Sequence, residues 1–279
     1  MSTCAITGAA GFLGGVIARR FRHEGWSVLS LGRRPPAFPA QHVDYRLGED
    51  PAKLPLTGVD TLIHCAWDLK ATTWNEIAAT NVQGSITLLK AAQVAGVRRI
   101  IFISSMSAYT GCRSMYGRAK CLVEAEALKL GLVIRPGLVW AEQTGGIVGA
   151  MERVIARSPV VPLIGSGNYL QYPVHCDDVA EFVWQAAQLA SLPVAPLSAA
   201  ASEPLTFRGI LQALATRAHR KPLFLPLPWR LLHTGLRLGE LLRFPLPFRS
   251  DSLLGLVYSN PKPDFTPPPG LIVKFRPFA

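Results

Sequence analysis

Tyr116 and Lys120 stand four residues apart in the segment Tyr116-Gly117-Arg118-Ala119-Lys120, a spacing that puts both side chains on one face of a helix. A free phenol titrates near pH ~10 and is a poor base at neutrality. A neighbouring ammonium and a second adjacent cation would favour its phenolate and bring it into range for proton transfer. Ser105, just past an apolar segment, could hold the oxygen of a reacting alcohol or carbonyl and steady the charge that develops there. Ser107 is an alternative partner. Spacing alone recurs by chance, so the meaning of the set depends on what surrounds it.

A second chemical signal lies near the amino end, in Thr7-Gly8-Ala9-Ala10-Gly11-Phe12-Leu13-Gly14. Gly8 lets the chain turn sharply off a strand, and Gly11 removes a side chain where a pyrophosphate must approach backbone. Gly14 lets the following helix pack closely. The start of that helix offers free N–H groups and a positive dipole end to phosphates. Gly8, Ala10, Gly11, Phe12, Leu13 and Gly14 are therefore expected to hold a dinucleotide. After the second apolar segment the chain reads Gly32-Arg33-Arg34, where an NAD-selective protein usually carries an acid. Guanidiniums bind a 2′-phosphate through charge-assisted, forked hydrogen bonds, so Arg33 and Arg34 favour NADP over NAD.

The elements that must position these groups alternate along the first 180 residues. Segments 3–7, 27–31, 61–65, 99–104 and 132–135 read as buried strands rich in Ile, Val and Leu. Segments 13–24, 74–95 and 116–130 between them read as helices. This alternation implies βαβ units and a Rossmann-type, doubly wound α/β domain with a parallel sheet. It is expected over 1–180, with 137–165 partly contributing to a small C-terminal substrate lobe formed mainly by 181–279. Helices are also expected over 147–157, 177–189 (capped by Asp177), 206–220 and 228–242, and an extended coil over 261–270. In the helix over 229–242, Leu231, Leu238 and Leu242 gather at helical spacing, which reads as a surface helix packed on the lobe. Peripheral membrane attachment is the second reading.

The composition agrees with such a domain. Hydrophobic residues make up 49% of 279 and charged residues 17%, so a sizeable core is available and global disorder is excluded. The net charge of +11 favours an anionic partner such as a phosphorylated cofactor. It also raises nucleic acid, but no aromatic-basic platform accompanies it and none is expected to bind. Five cysteines without a CxxC pair argue against a disulfide framework and a zinc module, and fit a reducing cytoplasm. No leader is read at the amino end, and no stretch of about 18 uninterrupted apolar residues suggests a spanning helix. His175 and Asp177 lack a third ligand at metal-site spacing, so no metal is expected.

Taken together these residues resemble the extended or atypical branch of the short-chain dehydrogenase/reductase superfamily, the NAD-dependent epimerase/dehydratase group. Residues 7–14 look like its phosphate loop, and Ile63-His64-Cys65-Ala66 like its fourth-strand segment lining the cofactor. Asn81-Val82-Gln83-Gly84 matches its helix motif. Ser104-Ser105-Met106-Ser107-Ala108-Tyr109 is similar to its fifth-strand stretch, with Ser105 aligning best, and 116–120 matches its YxxxK pair. Arg135-Pro136-Gly137 matches the segment after strand six, and residues 174–180 the segment before a late helix. The resemblance covers about 1–190. It implies Ser105, Tyr116 and Lys120 as the catalytic set, and adds His64, Cys65, Ala66, Arg135 and Pro136, with Tyr116 and Lys120, to the cofactor-lining residues.

Two departures matter. Only ten residues separate Ser105 from Tyr116, a shorter loop than sugar epimerases of this group show, which opens the substrate pocket. Met106-Ser107 stands where dehydratases of the group carry Asp-Glu, so the acid/base pair for water elimination is missing. The expected activity is hydride transfer between NADP (or NAD) and a secondary alcohol or ketone of a small-molecule substrate, with Lys120 also holding the nicotinamide ribose. Epimerisation of a nucleotide-linked sugar with retained NAD is the alternative, and a non-catalytic dinucleotide sensor or scaffold the third. The resemblance leaves a homodimer open.

Overall fold

The computed structural model describes residues 1–142, 146–242, 244, 246 and 248–278. In chain order the nucleotide-binding half runs β1 (Thr3–Thr7), α1 (Phe12–His23), β2 (Ser27–Gly32), β3 (Gln41–Asp44), β4 (Thr61–His64), α2 (Trp74–Glu76), a π-helical stretch Ile77–Gln83, α3 (Gly84–Val94), β5 (Arg99–Ile103), α4 (Met115–Leu130) and β6 (Leu132–Pro136). Then follow β7 (Leu138–Trp140), α5 (Gly146–Arg157), β8 (Val160–Ile164), β9 (Leu170–Gln171), β10 (Pro173–His175), α6 (Cys176–Ala187) and β11 (Leu197–Ala199). The last are β12 (Leu205–Thr206), α7 (Phe207–Arg217), β13 (Leu223–Leu227), α8 (Trp229–Leu241) and α9 (Ser250–Val257).

The five strands expected from apolar runs (β1, β2, β4, β5 and β6) are joined by β3 and β11, which were not expected, in one parallel sheet in the order β11-β6-β5-β4-β1-β2-β3. Its interior strands are buried on both faces, which is why they read as unbroken runs rather than alternations. One face carries α1 and α6, with Ile17, Phe21 and Val183 in its core; the other carries α3 and α4, with Leu88, Leu89 and Val123. The order reverses between β1 and β4, so a crevice opens beyond their carboxyl ends, where α/β sheets bind ligands.

A third core, with Trp140, Met151, Leu163, Phe207, Leu211 and Leu253, is built from residues 140–164 and 207–256. Residues 197–199 instead extend the main sheet, and Leu271 and Phe275 of the C-terminal coil pack on the α1/α6 face. The expected stripe on α8 is rotated: Leu231, Leu238 and Leu242 are exposed, while Leu232 and Leu236, four apart, face the lobe. The cap of α6 also differs from expectation. His175, not Asp177, is the N-cap, its Nδ1 accepting the Asp177 N–H at 3.3 Å. Among the described residues, no helix is long and apolar enough to cross a membrane.

Candidate active site

The glycine loop sits at the reversal point. Gly8 has φ of +72°, a left-handed conformation that favours glycine, and its N–H donates to the Leu31 carbonyl at 3.0 Å. A Cβ on Gly14 would lie 2.4 Å from the Gly8 carbonyl oxygen, so the third glycine brings α1 against the loop itself. Gly11 is the N-cap of α1 and offers no side-chain cap, and the first turn holds no acid. The N–H groups of that turn are thus left for an anion, which fits a pyrophosphate. Arg33 and Arg34 follow the strand end to which Gly8 is tied. Both are exposed, and neither bonds to another described residue.

Thr7 secures the loop from below. Its Oγ1 accepts the Cys65 and Ala66 N–H groups at 3.1 and 3.0 Å and meets His64 Nδ1 at 2.7 Å. With both lone pairs used, the Thr7 hydroxyl must donate to Nδ1, so His64 carries its proton on Nε2 and donates to Ser85 Oγ at 2.8 Å. Both ring nitrogens of His64 are therefore engaged within the protein. It is fully buried, and burial drives its pKa down to about 3. Ser85 carried no sequence signal, and Thr7, though it heads the glycine-loop motif, has no role of its own legible in the sequence because its partners lie far along the chain.

Arg135, also expected to line the cofactor, is engaged within the protein. Its guanidinium forms a two-pronged pair with the buried Glu124 of α4, at 2.8 and 2.6 Å. The Pro136 carbonyl accepts the Met106 N–H at 3.0 Å and so anchors the chain beyond Ser105. Asn81, fully buried in the π-helical stretch, grips the Asp68 backbone through its Oδ1 (2.7 Å) and Nδ2 (3.0 Å) and fixes the loop after β4.

Tyr116, Lys120 and Ser105 converge. The Ser105 hydroxyl lies close enough to the Tyr116 phenol to lower its titration, and the Ser107 backbone N–H donates to Ser105 Oγ at 3.1 Å. Lys120 is buried, donates to the Ile103 carbonyl at 2.8 Å and lies 3.9 Å from the Trp67 ring centre and 5.7 Å from that of Tyr116. Burial pushes Tyr116 up to about 12, against the lowering effect of Ser105. Burial also pushes Lys120 down to about 7, opposed by Cys65 and Glu124. Desolvation is the largest cause of the shift for both groups.

The helix carrying this pair is held from both ends of the fold. Ser114 caps it, accepting the Gly117 N–H at 3.1 Å, and a Cβ on Gly117 would lie 2.3 Å from the Ser107 carbonyl. Asp251, from α9, accepts the Met115 and Tyr116 N–H groups at 2.7 and 3.0 Å. Tyr109 donates to the Tyr258 carbonyl at 2.8 Å, and Arg249 to the Leu69 carbonyl at 2.9 Å. None of these lobe contacts was foreseen, because they join residues more than a hundred positions apart. His175, Cys176 and Asp177 also come together, but Arg276 reaches His175 Nδ1 at 2.9 Å and Asp177 at 3.3 Å, so a guanidinium already serves that cluster.

Comparison with known proteins agrees with this geometry. Residues 4–194 match the model of the NAD dependent epimerase/dehydratase family. A ceramide reductase of Caulobacter vibrioides is 29% identical over 235 residues, covering 80% of this chain and 73% of its own length. The solved structure of MoeE5 in complex with UDP-glucuronic acid and NAD superposes with a TM-score of 0.70 at 22% identity, covering 81% of this chain and 86% of the other. UDP-glucose 4-epimerase from Thermotoga maritima superposes at 0.68 and 19%, with 81% and 86% covered. At these identities the two structures speak for the fold. The family match, spanning more than half of the chain, goes further: this chain belongs to the NAD dependent epimerase/dehydratase family and is an enzyme of the extended short-chain dehydrogenase/reductase type.

Proposed function

We propose that the enzyme transfers hydride between a nicotinamide cofactor, NADP in preference to NAD, and a secondary alcohol or ketone, and that it works chiefly as a reductase. The observation that carries this reading is the convergence of the Tyr116 phenol, the Ser105 hydroxyl and the buried Lys120 ammonium at the carboxyl end of the sheet. When bound, the dinucleotide supplies the hydride. Tyr116 gives its proton to the carbonyl oxygen as charge develops there, and Ser105 holds that oxygen in line. Lys120, when protonated, stabilises the phenolate left behind. The rest of the chain's contribution is orientation.

Two further observations support the reading. The unpaired Arg33 and Arg34 at the end of β2 suit a 2′-phosphate. The name of the Caulobacter relative, a reductase, agrees in direction. Epimerisation of a nucleotide-linked sugar would use the same side chains but begin with an oxidation, in which Tyr116 takes the hydroxyl proton, and would retain the cofactor through the following reduction.

The test is NADPH consumption by the purified chain against a panel of ketones. Tyr116→Phe is expected to lower kcat by roughly 10²–10⁴ while NADPH binding persists. Unchanged turnover in that variant would remove Tyr116 from its role. A tightly retained NAD with no net absorbance change would favour the epimerase, and dinucleotide binding without turnover on any substrate would favour the sensor.

A further inference from the structure

We infer that the C-terminal lobe docks on an anionic lipid surface through the outer face of α8, together with the exposed face of the β8–β13 pair. The inference concerns binding alone and does not rest on the proposed reaction. α8 carries two apolar stripes. Leu232 and Leu236 face the lobe and pack on its core. Leu231, Leu238 and Leu242 lie within about 40° of one another on a different side of the helix. With Leu241 and, just past the helix, Phe244, they make five large apolar side chains that are 56–78% exposed. A helix that only covers a core needs one apolar stripe, so the second is not explained by packing within the lobe.

The strands before α8 repeat the pattern. β8 and β13 pair in parallel, with Leu223 opposite Val160 and Leu225 opposite Pro162. Alternation sends Val161, Leu163 and Phe224 to the core of the lobe and leaves Val160, Pro162, Leu223 and Leu225 exposed on the outer face. Pro162 borders the same small cavity as Leu232 and Leu236, so this face of the pair runs up to α8.

Charge selects the occupant. Between residues 204 and 250 the sequence carries eight basic residues and one acid, Glu240. Glu240 accepts the Ser250 N–H at 2.8 Å and its hydroxyl at 2.7 Å, which ties it to the start of α9 on the side of α8 away from the exposed leucines. Arg230 and Arg237, both exposed, stand about 100° round the helix from those leucines, and Arg220 and Lys221 are exposed just before β13. Leucines flanked by arginines suit a helix lying in the plane of a membrane interface. The leucines leave water there, while the arginine stems lie along the apolar layer and their guanidiniums meet phosphate headgroups. A second copy of the chain, docked face to face, would set these cations against one another. A nucleic acid would leave the leucines in water.

The experiment sediments the purified chain with vesicles of phosphatidylcholine alone and of equal parts phosphatidylcholine and phosphatidylglycerol. Binding is expected to the anionic vesicles, more weakly to the neutral ones, and should fall as salt rises. Leu231→Gln with Leu238→Gln should lower partition by at least roughly tenfold, since burying one leucine is worth about that much or more. Arg230→Ala with Arg237→Ala should lower binding to the anionic vesicles by roughly fivefold per arginine. All four side chains are exposed, so Tm is expected to hold in both variants, and weakened lipid binding at unchanged Tm supports the inference. Failure to sediment with either vesicle overturns it. Binding that the arginine pair abolishes and the leucine pair leaves intact also overturns it, since that is adsorption by charge alone. A dimer in the absence of lipid that the leucine pair dissociates would give the face to a second copy and overturn it as well.

Discussion

Asp251 accepts the backbone N–H of Tyr116 at 3.0 Å, across 135 residues of chain. A carboxylate of the C-terminal lobe therefore satisfies the open amino end of the helix that carries the candidate proton donor, and its charge complements the helix dipole there. Lobe and site are mechanically one unit at this point. Asp251→Ala is expected to cost about 1–2 kcal/mol, seen as a lower Tm, and to reduce kcat because Tyr116 loses its registry with Ser105. A fall in Tm with kcat untouched would separate the clamp from the chemistry.

Gly117 makes a sharper test of helix placement. Alanine is the better helix former by ~1 kcal/mol, so an isolated helix would gain from Gly117→Ala. In this fold the new Cβ would meet the Ser107 carbonyl at 2.3 Å, and relieving such overpacking costs roughly 1–3 kcal/mol. Thermal unfolding should show destabilisation together with slower turnover. A raised Tm would contradict the close approach.

Cofactor choice is expected to reside in Arg33 and Arg34. Replacing both by Ala should weaken NADPH binding by roughly tenfold or more, the scale of a lost charge-assisted bond, and leave NADH binding where it was. Fluorescence titration of both dinucleotides checks this. Equal losses for the two would assign the arginines to something other than the 2′-phosphate.

Acid should act on the loop through His64. Its pKa is about 3 in the fold and about 6.5 in the unfolded chain, so as pH falls the unfolded state takes up the proton first. The stability that rests on neutral His64 is complete above pH ~6.5 and is lost progressively toward pH ~3, on the order of 5 kcal/mol in all. Urea unfolding at a series of pH values should show this slope, and His64→Gln should flatten that part of it. An unaltered slope in the variant would mean that other groups carry the acid sensitivity.

Much of this enzyme was readable along the chain. Apolar runs separated by helical spacings determined the parallel sheet, because a strand buried on both faces can hardly be written otherwise. The glycine loop and the Tyr116–Lys120 spacing were equally legible, since both are local: a turn needs its glycines, and a helix face its period. What only the tertiary structure decided was environment. Burial, which no local pattern reports, raised Tyr116 and lowered Lys120. The inward turn of His64 to Thr7 and Ser85 and the pairing of Arg135 with Glu124 join side chains that no local pattern links. The clamp of Asp251 on α4 arises from groups that meet only when the lobe folds back. Such contacts depend on where distant segments come to rest, and that is settled by packing of the whole chain.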